Sequence, residues 1–477
     1  MNTEKYENET LKFFAGKEGQ FPMISQCIQT EAPIEQAANQ AGSNSTPTMK
    51  VIWAGPKDKQ YAHVICELTA SDGAIANSCF ARVVDKNGKQ IAEESFVSFS
   101  RSTAFAILPV PRDIFAECSV YMEMASIGSF ARISSDEVSL EEFDVGEKEV
   151  AYDITAPVIT RSKTDDRIKI SYWEYSSKSS YDYVYPGRHE NQMYFPTSGK
   201  ITIKDIELER ASMALEISDG IRTVTYPNEP TIKVEDDTIT YSIEEKWSGT
   251  KLDECFDYKK EVNASAYYLL TINAWETGGR HFIPITITNH NKLLKDETAS
   301  TTKGIYPMEV YLDCLAEGTE ISMVDGTMKL VENICKGDLV KTKDGGQSPI
   351  KEVSIQEDCQ VLNLVLESGR QLSLTDGHAV YTKDGIYPAS RLKKGQEVFT
   401  ENGTDIIDEI VPHCERTYKV YSLLLEDDGE WLFANGVMVY GSDSADLFKD
   451  RDWIREDLPK EWLTDYDNAL KAGILYE

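Results

Sequence analysis

The sequence predicts a mainly β protein: two N-terminal β-sandwich-like domains, then an all-β unit with pseudo-twofold symmetry, then a short helical tail. Three patterns carry that expectation. Apolar and polar residues alternate in short runs, broken by Gly, Pro, Asn and Asp, from residue 49 to about residue 311. The chain then repeats itself between residues 361 and 439. Only beyond residue 443 do apolar residues return at helical spacing.

In chain order, residues 1–46 are polar and end in Asn39-Gln40-Ala41-Gly42-Ser43-Asn44-Ser45-Thr46-Pro47, a linker composition. They read as an arm with one short helix. A first sandwich-like domain is expected over 47–147, with strands at 63–68, 79–85, 91–100, 104–110 and 119–125. Lys86-Asn87-Gly88-Lys89 lies between two of them, and Asn-Gly predicts a type I′ turn because it tolerates positive φ. A second β-rich domain is expected over 148–312, with strands at 168–173, 201–208, 231–234, 238–243, 267–274 and 281–289. The β unit follows over 313–442. In the acidic tail, 443–477, the spacing of Leu447, Trp453, Ile454, Leu458, Trp462, Leu463 and Leu470 predicts one or two amphipathic helices.

Composition excludes several functions. At 477 residues the chain is too long for one ordinary core, and 41% hydrophobic with 27% charged residues suits a globular protein. No apolar run approaches the ~18 residues of a membrane helix. The first residues carry neither the basic nor the apolar segment of a signal peptide, so the expected location is cytoplasmic, with non-classical export as the other route. A formal charge of −31 argues against nucleic acid, whose binding rests on Lys and Arg neutralising phosphates. Nine cysteines without a C-x-x-C pair suit reduced thiols. No metal site and no cofactor are expected; His413-Cys414 is too little to hold a metal.

The repeat lays Val361-Leu362-Asn363-Leu364-Val365-Leu366-Glu367 on Val420-Tyr421-Ser422-Leu423-Leu424-Leu425-Glu426. Without a gap it then lays Asp376-Gly377-His378-Ala379-Val380 on Asn435-Gly436-Val437-Met438-Val439. Two β subdomains related by a pseudo-twofold axis are implied. Just before the repeat stands Cys314-Leu315-Ala316-Glu317-Gly318-Thr319-Glu320-Ile321. Leu330 to Val340 follow, containing Asn333-Ile334-Cys335-Lys336-Gly337-Asp338, and then Leu374-Thr375-Asp376-Gly377-His378. Gly385 to Gly395 and the closing Leu432-Phe433-Ala434-Asn435-Gly436-Val437-Met438-Val439 complete the series.

Those five elements, in that order, resemble the Hint domain, the self-processing module shared by Hedgehog C-terminal segments, inteins and bacterial intein-like proteins. The resemblance covers about a quarter of the chain, residues 314–442. It implies an N-to-S acyl shift at Asp313–Cys314, with the chain as its own substrate. Cys314 would be the nucleophile, Thr375 would hydrogen-bond the scissile peptide, and His378 would protonate the departing amine. His378 falls where its repeat mate is Val437, so the fold itself does not require an imidazole there.

Two positions depart from the family. Splicing inteins end in His-Asn before a Cys, Ser or Thr, whereas this chain has Tyr440-Gly441 before Ser442; Ser422 stands where many members have Asp. Single cleavage is therefore expected rather than splicing, with water or a small nucleophile as acyl acceptor. The alternative is a structural or binding protein of β modules whose Hint domain is degenerate and inactive. Tyr172, Trp173, Tyr175, Tyr181, Tyr183 and Tyr185 with Arg188 and His189 offer the N-terminal modules a protein or carbohydrate contact, or ordinary packing. Cys335, Cys359 and Cys414 are read as core or surface thiols. The tail is read as packing on the Hint unit.

Overall fold

The computed structural model describes residues 9–30, 35–36, 48–56, 60–69, 74–101, 103–127, 131–155, 160–161, 171–172, 192–194, 197–218, 223–225, 231–243, 246–248, 263–290, 293, 300–305, 308–311, 313–358, 361–413, 418–426, 431–441, 445–448 and 451–476. They are mainly β, as expected, with several sheets, few helices and a short helical tail. None of the described helices is long and apolar enough to cross a membrane. The aromatic stretch from Trp173 to His189, the linker from Asn39 to Pro47, and Cys359, Cys414 and Ser442 lie outside the described residues.

The first β region is a sandwich. A three-stranded sheet of Thr48–Pro56, Tyr61–Thr69 and Thr103–Pro111 faces a six-stranded one that includes Ala76–Asp85, Gln90–Phe99 and Cys118–Ile127. Trp53, Val64 and Leu68 from one meet Val83, Phe96 and Met122 from the other in a single buried cluster. The inward side chains of both sheets make one core, as alternation predicts. The hairpin at 86–89 differs from the expected type I′ turn. Gly88 takes a positive φ of 78° but Asn87 does not, and the register shifts by one between Val83 and Val84. The Asp85 carboxylate accepts the Asn87 and Lys89 amides (2.8 and 2.9 Å), which holds a turn with a bulge instead.

The second β region places Thr197–Ile203, Thr238–Ile243 and Thr231–Glu235 in one sheet with Val150–Thr155. Leu208–Ser218, Asn263–Glu276 and Phe282–Thr288 lie in another. The strand expected at 201–208 is two strands. The chain turns at Lys204-Asp205, where Asp205 takes φ 61°, and Ile203 and Leu208 end up in different sheets facing the same core.

A fourteen-stranded sheet runs from Leu315 to Tyr440, and its repeat is plain in the pairing. Val361–Leu366 pairs with the long strand Gly403–His413, and its mate Tyr418–Leu425 pairs with the long strand Gln347–Asp358. Val380 and Val439, equivalent in the repeat, pair directly with each other, so the pseudo-twofold axis passes between them. Leu364, Leu366, Leu423 and Leu425 all point into one core.

Both chain ends differ from expectation. Residues 9–30 form two helices, Glu9–Phe14 and Pro22–Thr30, rather than an arm with one, and Phe14, Phe21 and Ile24 are buried. Their partners are Phe99 and Ile127 of the sandwich and Leu458, Trp462 and Tyr466 of the tail. The tail was expected on the Hint-like unit. Its first part does pack there, through Phe448 and Trp453 beside Trp431 and Met438, but Leu463–Lys471 packs on the first sandwich. Successive helices of the tail thus serve two surfaces.

Candidate functional site

Cys314 lies just ahead of the two-residue strand Leu315–Ala316, and pairing determines what surrounds it. Leu315 pairs with Leu374 on one side and Tyr421 on the other. One residue back along those antiparallel registers, Thr375 and Ser422 fall opposite Cys314. The first placement is realised in hydrogen bonds. The Cys314 N–H, which belongs to the Asp313–Cys314 peptide, donates to Thr375 Oγ1 at 2.9 Å. The Thr375 N–H donates to the Cys314 carbonyl at 2.9 Å, and the Thr375 hydroxyl also reaches that carbonyl at 3.3 Å. One threonine thus grips the peptide from its strand end, where a hydroxyl is both donor and acceptor.

His378 is held by the turn that leaves that strand. Its N–H donates to the Thr375 carbonyl at 3.2 Å. Its carbonyl accepts the Ala389 N–H at 2.9 Å, and the Ser390 N–H donates to the Asp376 carbonyl at 2.8 Å. The Gly385-to-Gly395 element therefore works as a brace for the histidine turn. The imidazole Nδ1 comes within 2.5 Å of Asp313 Oδ1. The approach is close but not aligned as a hydrogen bond, and among the described residues neither imidazole nitrogen nor either Asp313 oxygen has an aligned partner.

All four residues are buried: Asp313 is 7% exposed, Cys314 1%, Thr375 0% and His378 4%. Cys314, Ala316, Val361, Tyr418 and Val420 belong to one core with Ile201, Ile239 and Ile285 of the second β region. The Asp313–Cys314 bond thus sits between two packed units. Buried carboxylate and imidazole groups without aligned partners are costly, and such sites are found where chemistry needs them.

The four residues singled out in the sequence come together here. Sequence reasoning missed the Asp313–His378 contact, for which adjacency to Cys314 was the only signal. It also missed the brace from Ala389 and Ser390, which follows from a loop closing in space. Cys335 is exposed, unlike the buried Cys314. His413 Nδ1 lies 3.2 Å from the Tyr418 hydroxyl, and no His/Cys/Asp/Glu cluster fit for a metal occurs among the described residues. The last position before Ser442 is tightly packed, so any side chain there needs Leu425 and Leu432 to shift. A Cβ at Gly441 would lie 2.6 Å from Leu425 Cδ1 and 3.0 Å from Leu432 Cδ2.

No family model matches the chain, and no curated protein matches it. Among solved structures, the bacterial intein-like domain from Clostridium thermocellum is 24% identical, over 27% of this chain and 99% of that one, at a TM-score of 0.25. The gp41-1 intein is 22% identical over 27% and 97% of the two chains, at 0.24. The MchDnaB-1 intein is 14% identical over 26% and 98%, also at 0.24. A segment of this chain is similar to inteins. The likeness extends to about a quarter of it.

Proposed function

We propose that the protein cuts its own backbone at Asp313–Cys314. The observation that carries the reading is the grip of Thr375 on the Cys314 amide, with His378 against Asp313 in the same buried turn. In the proposed step Cys314 Sγ attacks the Asp313 carbonyl carbon, a C–S bond forms, and the C–N bond to Cys314 breaks. The thiol proton is taken up by the departing nitrogen, and His378 relays it. The product is a thioester joining residues 1–313 to the Cys314 sulfur. Water then releases a carboxylate at Asp313, while a thiol, amine or alcohol carries the acyl group away.

Amide-to-thioester exchange is uphill, so the site must favour the departing amine. Thr375 contributes by holding the amide nitrogen against its hydroxyl. Asp313 contributes a carboxylate oxygen 2.5 Å from the imidazole Nδ1, which positions the ring at the scissile peptide. Splicing is not part of the proposal, because Tyr440-Gly441 provides no asparagine nucleophile.

The second reading, a degenerate unit serving as an interaction module, is favoured by Ser422, which falls opposite Cys314 where many members have Asp. Intact mass separates the two. Purified protein incubated with dithiothreitol is expected to yield 1–313 and 314–477, and Cys314→Ala is expected to stay whole. A chain that remains whole under every thiol and pH condition overturns the first reading.

A further inference from the structure

We propose that the residues after the last sheet act as a clasp, so that cutting at Asp313–Cys314 nicks the protein without releasing its N-terminal part. The partner of the clasp is this chain's own segment before the cut. The inference rests on the reading that the bond is cut, and it concerns what happens to the two pieces.

Gln90–Phe99 forms one edge of the six-stranded sheet, and an open edge presents unpaired amides and carbonyls. Residues 474–476 pair with it at Val97. The Val97 N–H donates to the Ile474 carbonyl at 2.8 Å, and the Tyr476 N–H donates to the Val97 carbonyl at 2.8 Å, as in a parallel bridge. Tyr476 is 4% exposed and its ring lies 5.2 Å from that of Phe96, inside the sandwich core. This is strand addition with an aromatic anchor, a mode by which separate peptides bind sheets.

The preceding helix, Leu463–Lys471, makes a second attachment. Asp465 is fully buried, and its carboxylate accepts the Ile24 and Met23 amides at 2.9 and 3.3 Å, capping the helix Pro22–Thr30. Asn468 Nδ2 donates to the Gln20 carbonyl at 2.7 Å. The Tyr466 ring meets Phe99 edge-on at 5.1 Å. At its other end the tail is fastened to the Hint-like unit, where Arg391 forms two bonds to Asp457 at 2.6 and 2.8 Å. Each of these contacts to the sandwich joins a residue before position 313 to one after 314. None of them uses the scissile peptide, so all survive its cleavage.

The test uses the full chain carrying Cys314→Ala and a site-specific protease sequence placed immediately before Asp313. Once a denaturing gel shows that added protease has nicked every molecule, the fragments are expected to elute from size exclusion as one species. That species should have the size of the intact chain and part only in denaturant. Two separate species in plain buffer overturn the clasp. Tyr466→Ala combined with Tyr476→Ala is expected to weaken fragment association roughly a hundredfold on dilution. Asp465→Asn, milder for the fold, is expected to weaken it roughly tenfold. Association unchanged in both would assign the hold to the face around Cys314 and Val420, and would also overturn the clasp. Because added protease makes the cut, these results stand whether or not the chain cuts itself, which the thiol experiment reads separately.

Discussion

The two halves of the last sheet follow the same path and end in opposite chemistry. Leu364 and Leu366 in one half, and Leu423 and Leu425 in the other, fill one core, and Val380 pairs with its own mate Val439. The turns between their strands then diverge. In the second half Asn435 and Gly436 take positive φ (47° and 75°), and the Asn435 side chain accepts the Glu320 amide at 2.7 Å and donates to the Gln371 carbonyl at 2.8 Å. Its polar atoms serve the fold. In the first half Thr375 grips the Cys314 peptide, and His378 lies buried against Asp313 without an aligned hydrogen bond. Where the fold had only itself to satisfy it placed Val437, so on the proposed reading the histidine is a cost accepted for cleavage rather than for stability.

Exchanging residues between the halves tests that contrast. His378→Val gives the first turn the residue of its mate. Thiol-induced cleavage is expected to slow by about 100-fold or more, with a melting temperature that is unchanged or higher. A lower melting temperature with cleavage intact would erase the contrast. Thr375→Val removes the hydroxyl that holds the Cys314 amide; cleavage is expected to slow by about tenfold, and chemical denaturation to show a loss of about 1–3 kcal/mol from the orphaned N–H. The reverse exchange, Val437→His, buries an imidazole with no task. It is expected to cost about 1–3 kcal/mol by the same measurement while leaving the cleavage rate within about twofold. Asn435→Ala loses two hydrogen bonds and a residue suited to positive φ, for about 1–2 kcal/mol and no change in cleavage. If Asn435→Ala slowed cleavage as much as Thr375→Val, the two turns would share one role.

Much of this was legible in the residues because it rests on local periodicity. The strands expected at 63–68, 79–85, 104–110 and 119–125 lie within Tyr61–Thr69, Ala76–Asp85, Thr103–Pro111 and Cys118–Ile127. Burial on one face of a strand imposes period two, and that pattern survives without any knowledge of partners. Turn geometry was less legible. Asn87-Gly88 and Asn435-Gly436 have the same dipeptide, yet only the second takes positive φ at both residues, because Asp85 captures the amides of the first. Local competitors for a backbone amide decide such cases.

Order along the chain was enough to place Cys314, Thr375 and His378 in one series and to show that a terminal asparagine is missing. Their meeting is long-range. Strand pairing brings residue 375 to residue 314, and a turn braced by Ala389 and Ser390 brings His378 to Asp313. The clasp is longer-range still, joining Asp465 to Met23 and Ile24, and Tyr476 to Val97. An amphipathic stripe states that a helix needs a partner and is silent about which one. That choice belongs to the surfaces left open after the sheets have closed, and no spacing of residues along the chain encodes it.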